Sequence, residues 1–349
     1  DTSGLGRVVE YEPADLTVTV EAGMRFSQLQ DLLGEQGQFL ALDPPLQQGA
    51  TIGGLIATNA SGPLRLAYGT ARDLVIGTRV ANPDGTLTRA GGRVVKNVAG
   101  YDLNKLYIGS LGTLAILVEL SFKVAPLPPS TATLVGGFAD LASARSTVAA
   151  VVRSPLSPLA VELLGSGIAV EAGLPDTYPA LVVFRVGGYP EAVERQVRDL
   201  RALVRQHSGE GLETSPSVWE DLATARTAAR RREVVLKAAA PLSASATLVE
   251  ILERHLAGLR PTVWAHAGNG IAFAACEMPP DAQVVRAARM DVQALGTNAS
   301  LVIERCPTVL KREVDVWGED GPSLGLMRAI KARLDPHGTL NPGRYVGGI

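Results

Sequence analysis

The sequence predicts an α+β fold in two parts. Three observations carry that prediction. Short alternating strands surround a glycine-rich block at residues 49–62, within the first third of the chain. A proline-rich junction, Pro126-Leu-Pro-Pro129, interrupts the pattern. Beyond it, strands and helices alternate with pairs of strands between helices, the order of an antiparallel sheet covered by helices on one face, as in ferredoxin-like folds.

In the first part, Val8 and then Leu16, Val18 and Val20 alternate with polar residues and give two strands across 7–21. Phe26, Leu29, Leu32 and Leu33 follow at helical spacing and predict an amphipathic helix ending near Gly34 or Gly37. Asp43-Pro44-Pro45 makes a rigid extended turn. The next fourteen residues, 49–62, hold four glycines and only three sizeable apolar side chains, Ile52, Leu55 and Ile56. A hydrophobic core does not need that composition. A backbone that approaches an anionic cofactor closely does, with its N–H groups exposed as donors. Residues 74–90 predict a hairpin around Asn82-Pro83-Asp84-Gly85. Asp102 is the expected N-cap of a short helix through Tyr107, and a strand follows from Leu114 to Val124.

In the second part, strands are expected at 131–138, 159–164, 181–186, 233–239, 262–266, 270–275 and 300–304. Helices are expected at 140–153, 190–207, 244–257 and 281–295. The halves 131–186 and 234–304 read as a weak structural repeat without sequence similarity. A last helix from about Leu324 to Leu334 precedes a turn-rich tail, which needs pinning to offset its ordering entropy.

Composition narrows the function classes. A formal net charge of −2 and the lack of a basic tract argue against nucleic-acid binding. No apolar run has the length of a membrane span, so membrane contact is expected only indirectly, through a complex. Two cysteines, Cys276 and Cys306, are too few for a disulfide framework or an iron–sulfur cluster. They read as buried thiols in a reducing cytoplasm. Five of the seven asparagines (Asn59, Asn97, Asn104, Asn269 and Asn341) sit in or beside glycine-rich motifs, which points to backbone or ligand duties.

Four motifs in order carry a family resemblance. They are Ala50-Thr-Ile-Gly-Gly-Leu-Ile-Ala-Thr-Asn-Ala-Ser-Gly62, Tyr68-Gly-Thr-Ala-Arg-Asp-Leu74, Val95-Lys-Asn-Val-Ala-Gly-Tyr-Asp-Leu103 with Gly109-Ser-Leu-Gly-Thr113, and Asp335-Pro-His-Gly-Thr-Leu-Asn-Pro-Gly-Arg344. The chain resembles the FAD-linked oxidases of the vanillyl-alcohol oxidase (PCMH) type. Within them it looks most like the FAD-binding subunits of bacterial glycolate oxidases.

The resemblance implies an FAD-binding domain over residues 1–127 and a ferredoxin-like cap over 128–310. A C-terminal segment, 311–349, would return to the FAD domain. It also implies a further phosphate loop upstream of the first segment, so the FAD domain is expected to lack its N-terminal part and to hold FAD weakly. Thr51, Gly53, Gly54, Asn59 and Ser61 would line the pyrophosphate and flavin edge. Gly69, Asp73, Gly112, Thr113 and Ile116 would continue the cleft. Asn341 and Arg344 would bring the tail back toward the flavin or the cap mouth. The implied assembly pairs the chain with a sister flavin subunit and an iron–sulfur subunit, acting on a small 2-hydroxyacid.

Related dehydrogenases carry a His-Gly-Asp-Gly-Asn motif with a further histidine. Here His266-Ala-Gly-Asn-Gly270 lacks the aspartate and the second histidine, so a metal held by paired imidazoles is not expected. Catalytic residues stay open. Lys237 is a carboxylate grip or a strand-edge ion pair, and His266 is a base or a structural histidine. Arg344 is a grip or a surface residue, and Lys96 lies near the flavin or on the surface. The four arginines of the stretch 226–232 read as a solvated helix face or a docking surface. Trp219, Trp264 and Trp317 read as core or interface anchors.

Overall fold

The computed structural model describes residues 2–45, 49–92, 101–165, 167–318 and 321–349. They form two compact units, Asp1–Leu127 with Asp320–Ile349, and Pro128–Glu319.

The first unit is built on a five-stranded antiparallel sheet. Its strands are β1 (Val8–Glu12), β2 (Thr17–Glu21), β3 (Val75–Ala81), β4 (Leu87–Gly91) and β5 (Ile116–Lys123), in the order β1-β2-β5-β3-β4. The predicted strand pair, hairpin and long strand are all present. Helix α1 (Phe26–Gly34) buries Phe26, Leu29 and Leu33, the residues whose spacing predicts it. Helix α2 (Ile52–Thr58) occupies the glycine-rich block and buries Ile52, Leu55 and Ile56. Two adjacent glycines argue against a helix on propensity. Burial of the three apolar residues on one stripe outweighs that penalty. Helix α3 (Asn104–Tyr107) has Leu103, not Asp102, at its N-cap, and no side-chain cap bond. The Asp102 carboxylate instead lies 3.5 Å from Lys105 Nζ. Lys96, Asn97 and the rest of residues 93–100 lie outside the described residues.

The second unit carries an eight-stranded, wholly antiparallel sheet. Its first half runs β6 (Ser130–Phe138), α4 (Leu141–Arg153), β7 (Ala160–Leu164), β8 (Ala180–Gly188), α5 (Pro190–Gln206) and β9 (Glu210–Leu212). After α6 (Val218–Ala229), the second half runs β10 (Val234–Ala239), α7 (Ser245–Leu256), β11 (Thr262–His266), β12 (Ile271–Cys276), α8 (Ala282–Gln293) and β13 (Ser300–Arg305). The sheet order is β9-β6-β8-β7-β11-β12-β10-β13. Each half is therefore a β-α-β-β-α-β unit, and the two meet through their second strands, β7 and β11. The repeat expected from element order is real in topology.

The expectation of helices on one face needs correction. Helices α4, α5, α7 and α8 pack on one face of the sheet. The other face has its own core, where Val218, Leu222, Ala225 and Ala229 of α6 pack with Val183, Trp264, Phe273 and Val235 of the strands. A short helix, Ile168–Glu171, joins that second layer.

The tail helix α9 (Leu324–Leu334) belongs to the first unit. Its Ile330 and Leu334 pack against that unit's core. No helix among the described residues is long and apolar enough to cross a membrane.

Candidate functional site: a cleft in the first unit and a charged sheet face in the second

In the first unit, an open cleft of about 370 Å³ runs along the N-terminal turn of α2. Of the residues singled out in the sequence, Thr51, Gly53, Gly54, Gly112, Ile116 and Asn341 line it. Ala22, Ala57, Ser110, Leu111, Ala115, Leu117, Thr339 and Leu340 also line it, and no motif marked those residues apart from their neighbours. The lining holds no Asp, Glu, Lys, Arg or His.

Gly53 and Gly54 do not present the free N–H donors that the sequence suggests. The Gly53 N–H donates to Ala22 O at 2.7 Å, and the Gly54 N–H donates to Thr51 Oγ1 at 3.2 Å. These N–H groups are committed within the protein and are not free phosphate donors. A Cβ at Gly53 would lie 2.9 Å from both Cβ and O of Ala22. At Gly62 it would lie 2.0 Å from Asp43 O, where the Asp43 carboxylate also accepts from the N–H groups of Gly62 and Leu64 at 3.0 Å each. Glycine here permits close backbone packing. The Gly112 N–H, by contrast, faces no hydrogen-bond acceptor among the described residues.

Other expected ligand residues lie outside the lining. Asn59 caps α2 at a left-handed φ of 50°, and its Oδ1 is buried with no partner among the described residues. Ser61 Oγ accepts from Arg65 at 3.3 Å. Asp73 closes a capping box with Thr70, its Oδ2 accepting from the Thr70 N–H at 2.8 Å, and Gly69 packs on the Asp73 side chain. Thr113 is buried, and its hydroxyl donates to Ser110 O at 2.7 Å. Arg344 is exposed, with no ion-pair partner among the described residues.

The tail is pinned against this cleft. Asp335 is buried and accepts from the Thr339 N–H and hydroxyl, the Leu340 N–H and Lys331 Nζ. Burial alone pushes its pKa up. The Lys331 ammonium and those donors more than reverse this and hold it well below the usual carboxylate range. Lys331 also donates to Thr113 O and Leu340 O, at 2.8 Å each, and Asn341 Nδ2 donates to Leu111 O at 2.7 Å.

In the second unit, the charged groups gather on the face of the sheet that carries α6. Strand register places Glu162, opposite His266, on the same face as Lys237, opposite Phe273. Glu162 is fully buried and accepts from Arg226 Nη1 at 2.8 Å, and it is hydrogen-bonded to His266 Nδ1 at 2.7 Å. His266 is 3% exposed and edge-on to Phe273. The Arg230 guanidinium pairs with Glu304 and lies 4.1 Å from the centre of the Phe273 ring. Lys237 Nζ is 3.5 Å from the same Glu304 and about one-third exposed, at 34%. Arg232 pairs with Glu171 and Glu277. The arginine-rich stretch is therefore not a solvated helix face. Three of its four arginines hold internal ion pairs. Among the tryptophans, Trp264 is a core residue stacked on Phe273, while Trp219 lies 5.3 Å from the Arg226 guanidinium. Cys276 is buried and its thiol pKa is pushed up to about 11 by burial, whereas Cys306 is only half-buried.

Burial pushes the His266 pKa down, against the raising effect of Glu162, and Arg226 and Arg230 add to the lowering. The folded state thus holds a neutral imidazole. Its stabilising contribution is fully present above the unfolded value of about 6.5 and is lost as pH falls below it, toward the folded pKa. Thermal unfolding of the chain is expected to drop across that range, and His266→Gln should flatten the drop. An unchanged slope in the variant would assign the acid sensitivity to another group.

With the geometry in place, known proteins can be compared. An FAD binding domain model matches residues 1–91, and a model of the C-terminal domain of FAD linked oxidases matches residues 316–345. Glycolate oxidase subunit GlcD of Bacillus subtilis is 27% identical over 97% of this chain and 77% of its own length. The two matched models and these similarities support the FAD-linked oxidase family for this chain. Glycolate oxidase subunit GlcE of Escherichia coli is 41% identical, but over 36% of this chain and 37% of its own length. A mitochondrial D-lactate dehydrogenase [cytochrome] of Arabidopsis thaliana is 28% identical over 99% of this chain, which spans 65% of that relative. A structure of p-cresol methylhydroxylase superposes with a TM-score of 0.74 at 16% identity, covering 98% of this chain and 78% of the other. The fold is thus of the PCMH type.

FAD is the cofactor these matches support, and the chemistry of the cleft suits an anionic ligand. Its lining is small-sided and carries no carboxylate to repel a pyrophosphate. The Gly112 N–H, which meets no acceptor among the described residues, belongs to the lining and is available to a polar ligand.

Proposed function

We propose that this chain is the FAD-binding subunit of a complex that oxidises a small 2-hydroxyacid, glycolate to glyoxylate in the leading case. Electrons would leave through an iron–sulfur subunit, and a sister flavin subunit would supply the proton-abstracting residues. FAD, when bound, supplies a hydride acceptor. Thr51, Gly53, Gly54, Gly112, Ile116 and Asn341 would hold it in the first unit.

One observation carries the division of labour. Oxidation of a 2-hydroxyacid needs a cation for the carboxylate and a base for the hydroxyl proton. The charged sheet face has the first and not the second. Arg230 and Lys237 share one carboxylate, Glu304, so a positive charge is left over at the partly exposed Lys237. His266 is sealed at 3% exposure and engaged with Glu162. His207, His255 and His337 are not on this face, and no cluster of three or more His, Cys, Asp or Glu that could hold a metal occurs among the described residues.

The alternative is a stand-alone FAD-dependent D-2-hydroxyacid dehydrogenase, which similarity to D-lactate dehydrogenases over nearly the whole of this chain, and 65% and 62% of theirs, favours. A flavin-free structural subunit is the third reading. The absorbance spectrum of the purified chain, followed by anaerobic glycolate or D-lactate, separates them. A yellow protein that bleaches only when partner subunits are added is the expected result. Bleaching by the chain alone supports the stand-alone enzyme. A chain that stays colourless in excess FAD supports the structural subunit.

A further inference from the structure

We propose that the C-terminal segment from Asp335 to Asn341 is a folded-back wall of the cofactor cleft whose docking is thermodynamically linked to FAD binding, with Lys331 as the residue that positions it. The inference rests on FAD as the ligand of the cleft. It does not depend on which substrate or partner completes the reaction.

Thr339, Leu340 and Asn341 line one side of the cleft, and Leu111 and Gly112 line the side they touch. These two stretches are over 200 residues apart in sequence, since the Asn341-to-Leu111 bond spans 230 positions. Few bonds join them. Lys331 Nζ is the hub, because one ammonium donates to Thr113 O from the loop and to Leu340 O from the tail. The same ammonium meets Asp335 Oδ2 at 2.5 Å, and Asp335 in turn fixes the Thr339 and Leu340 N–H groups. An ammonium has three donors, and all three are used.

Leu111 and Asn341 both have left-handed backbones, with φ of 54° and 40°. Asparagine tolerates that region, whereas a leucine persists there only where surrounding contacts hold it. The contacts in question are the Asn341-to-Leu111 bond and the Lys331 hub. A Cβ at Gly112 would lie 3.0 Å from Asn341 Nδ2, so the two strands of the wall are already at close approach. A ligand that contacts both sides binds the docked form and not the undocked one. It must therefore stabilise docking by the same factor by which docking strengthens its binding.

The test uses the full chain. FAD affinity is measured by titration with flavin fluorescence for wild type, Lys331→Met and Asn341→Ala. Amide exchange at Thr339 and Leu340 is followed with and without FAD in the wild type. Lys331→Met is expected to weaken FAD about ten-fold and Asn341→Ala less in the same direction. FAD is expected to slow exchange at both amides. If Lys331→Met does not fold, the exchange measurement on the wild type carries the test, because Asn341 itself lines the cleft and its truncation also removes a ligand contact. Wild-type affinity in both variants, or exchange indifferent to FAD, overturns the linkage while leaving FAD as the ligand. A wild-type chain that takes up no FAD overturns both.

Discussion

Replacing Glu162 with leucine is expected to cost the second unit about 3–5 kcal/mol of stability. Glu162 lies on β7, at the seam where the two ferredoxin-like halves meet, and none of its side chain reaches solvent. Removing it leaves the Arg226 guanidinium, only 10% exposed, without a counter-charge, and frees the His266 Nδ1 it engages. A buried cation with no partner is the costly state, because its desolvation is no longer offset. Removing both charges is a different matter. The double variant Glu162→Leu with Arg226→Met replaces the pair by apolar groups and should recover most of the loss. The recovery will not be complete, because Arg226 also packs 5.3 Å from the Trp219 ring. Urea unfolding of the two single variants and the double variant measures this directly. A single variant within about 1 kcal/mol of wild type, or a double variant no better than the single, would show that the pair is not the keystone of the seam.

The same pair shows where sequence reasoning stops. The second unit's helices were legible because each buries one face at a period near four, and its central strands, buried on both faces, because they are short apolar runs between turn signals. The mate of each charge was not. Arg226 and Glu162 are 64 positions apart, and helical periodicity says that an arginine lies on a face but not what that face meets. A signal did exist. Glu162 sits in Ala160-Val-Glu-Leu-Leu164, an otherwise apolar strand, as Lys237 sits in Val234-Val-Leu-Lys. A lone charge in a buried strand needs a partner. Reading the arginines as the supply of such partners would have turned a supposed solvated face inward.

The first unit was legible in a complementary way. Motif order pointed to the family, and six of the residues it marked do line the cleft. Others proved to shape the scaffold. Asp73 caps a short helix, and Thr113 offers its carbonyl to Lys331. Lys331 and Asp335 carry the tail, yet only Asp335 lies in a motif, because a lysine in an ordinary amphipathic helix has no distinguishing neighbours. Such sequence motifs record what the ligand and its supporting backbone require together. They do not separate the two.

Gly53 offers the sharpest separation, and Gly53→Val is expected to weaken FAD binding about a hundred-fold, or about 2.7 kcal/mol, and to destabilise the fold by about 1–3 kcal/mol. If the glycine were there to free an N–H for phosphate, a side chain could be tolerated wherever the N–H still pointed outward. The structure assigns it another reason. The Gly53 N–H is spent on Ala22 O, and a Cβ would meet the Ala22 backbone oxygen and Cβ at 2.9 Å. Backbone cannot yield as a flexible side chain can, so α2 must move off the end of β2. Ala22 and Gly53 both line the cleft, so that movement reshapes its floor. The adjacent Gly54 is the internal control. Its added Cβ would meet only Thr51 Oγ1, at 3.2 Å, the tip of a side chain that can turn away. Alanine there also gains helix propensity of about 1 kcal/mol, set against the Thr51 cap bond. Gly54→Ala should therefore stay within about 1 kcal/mol of wild type in stability. Thermal unfolding and FAD titration of the two variants side by side decide the matter. Wild-type stability and FAD affinity in Gly53→Val would overturn the close packing on Ala22 as the reason for this glycine.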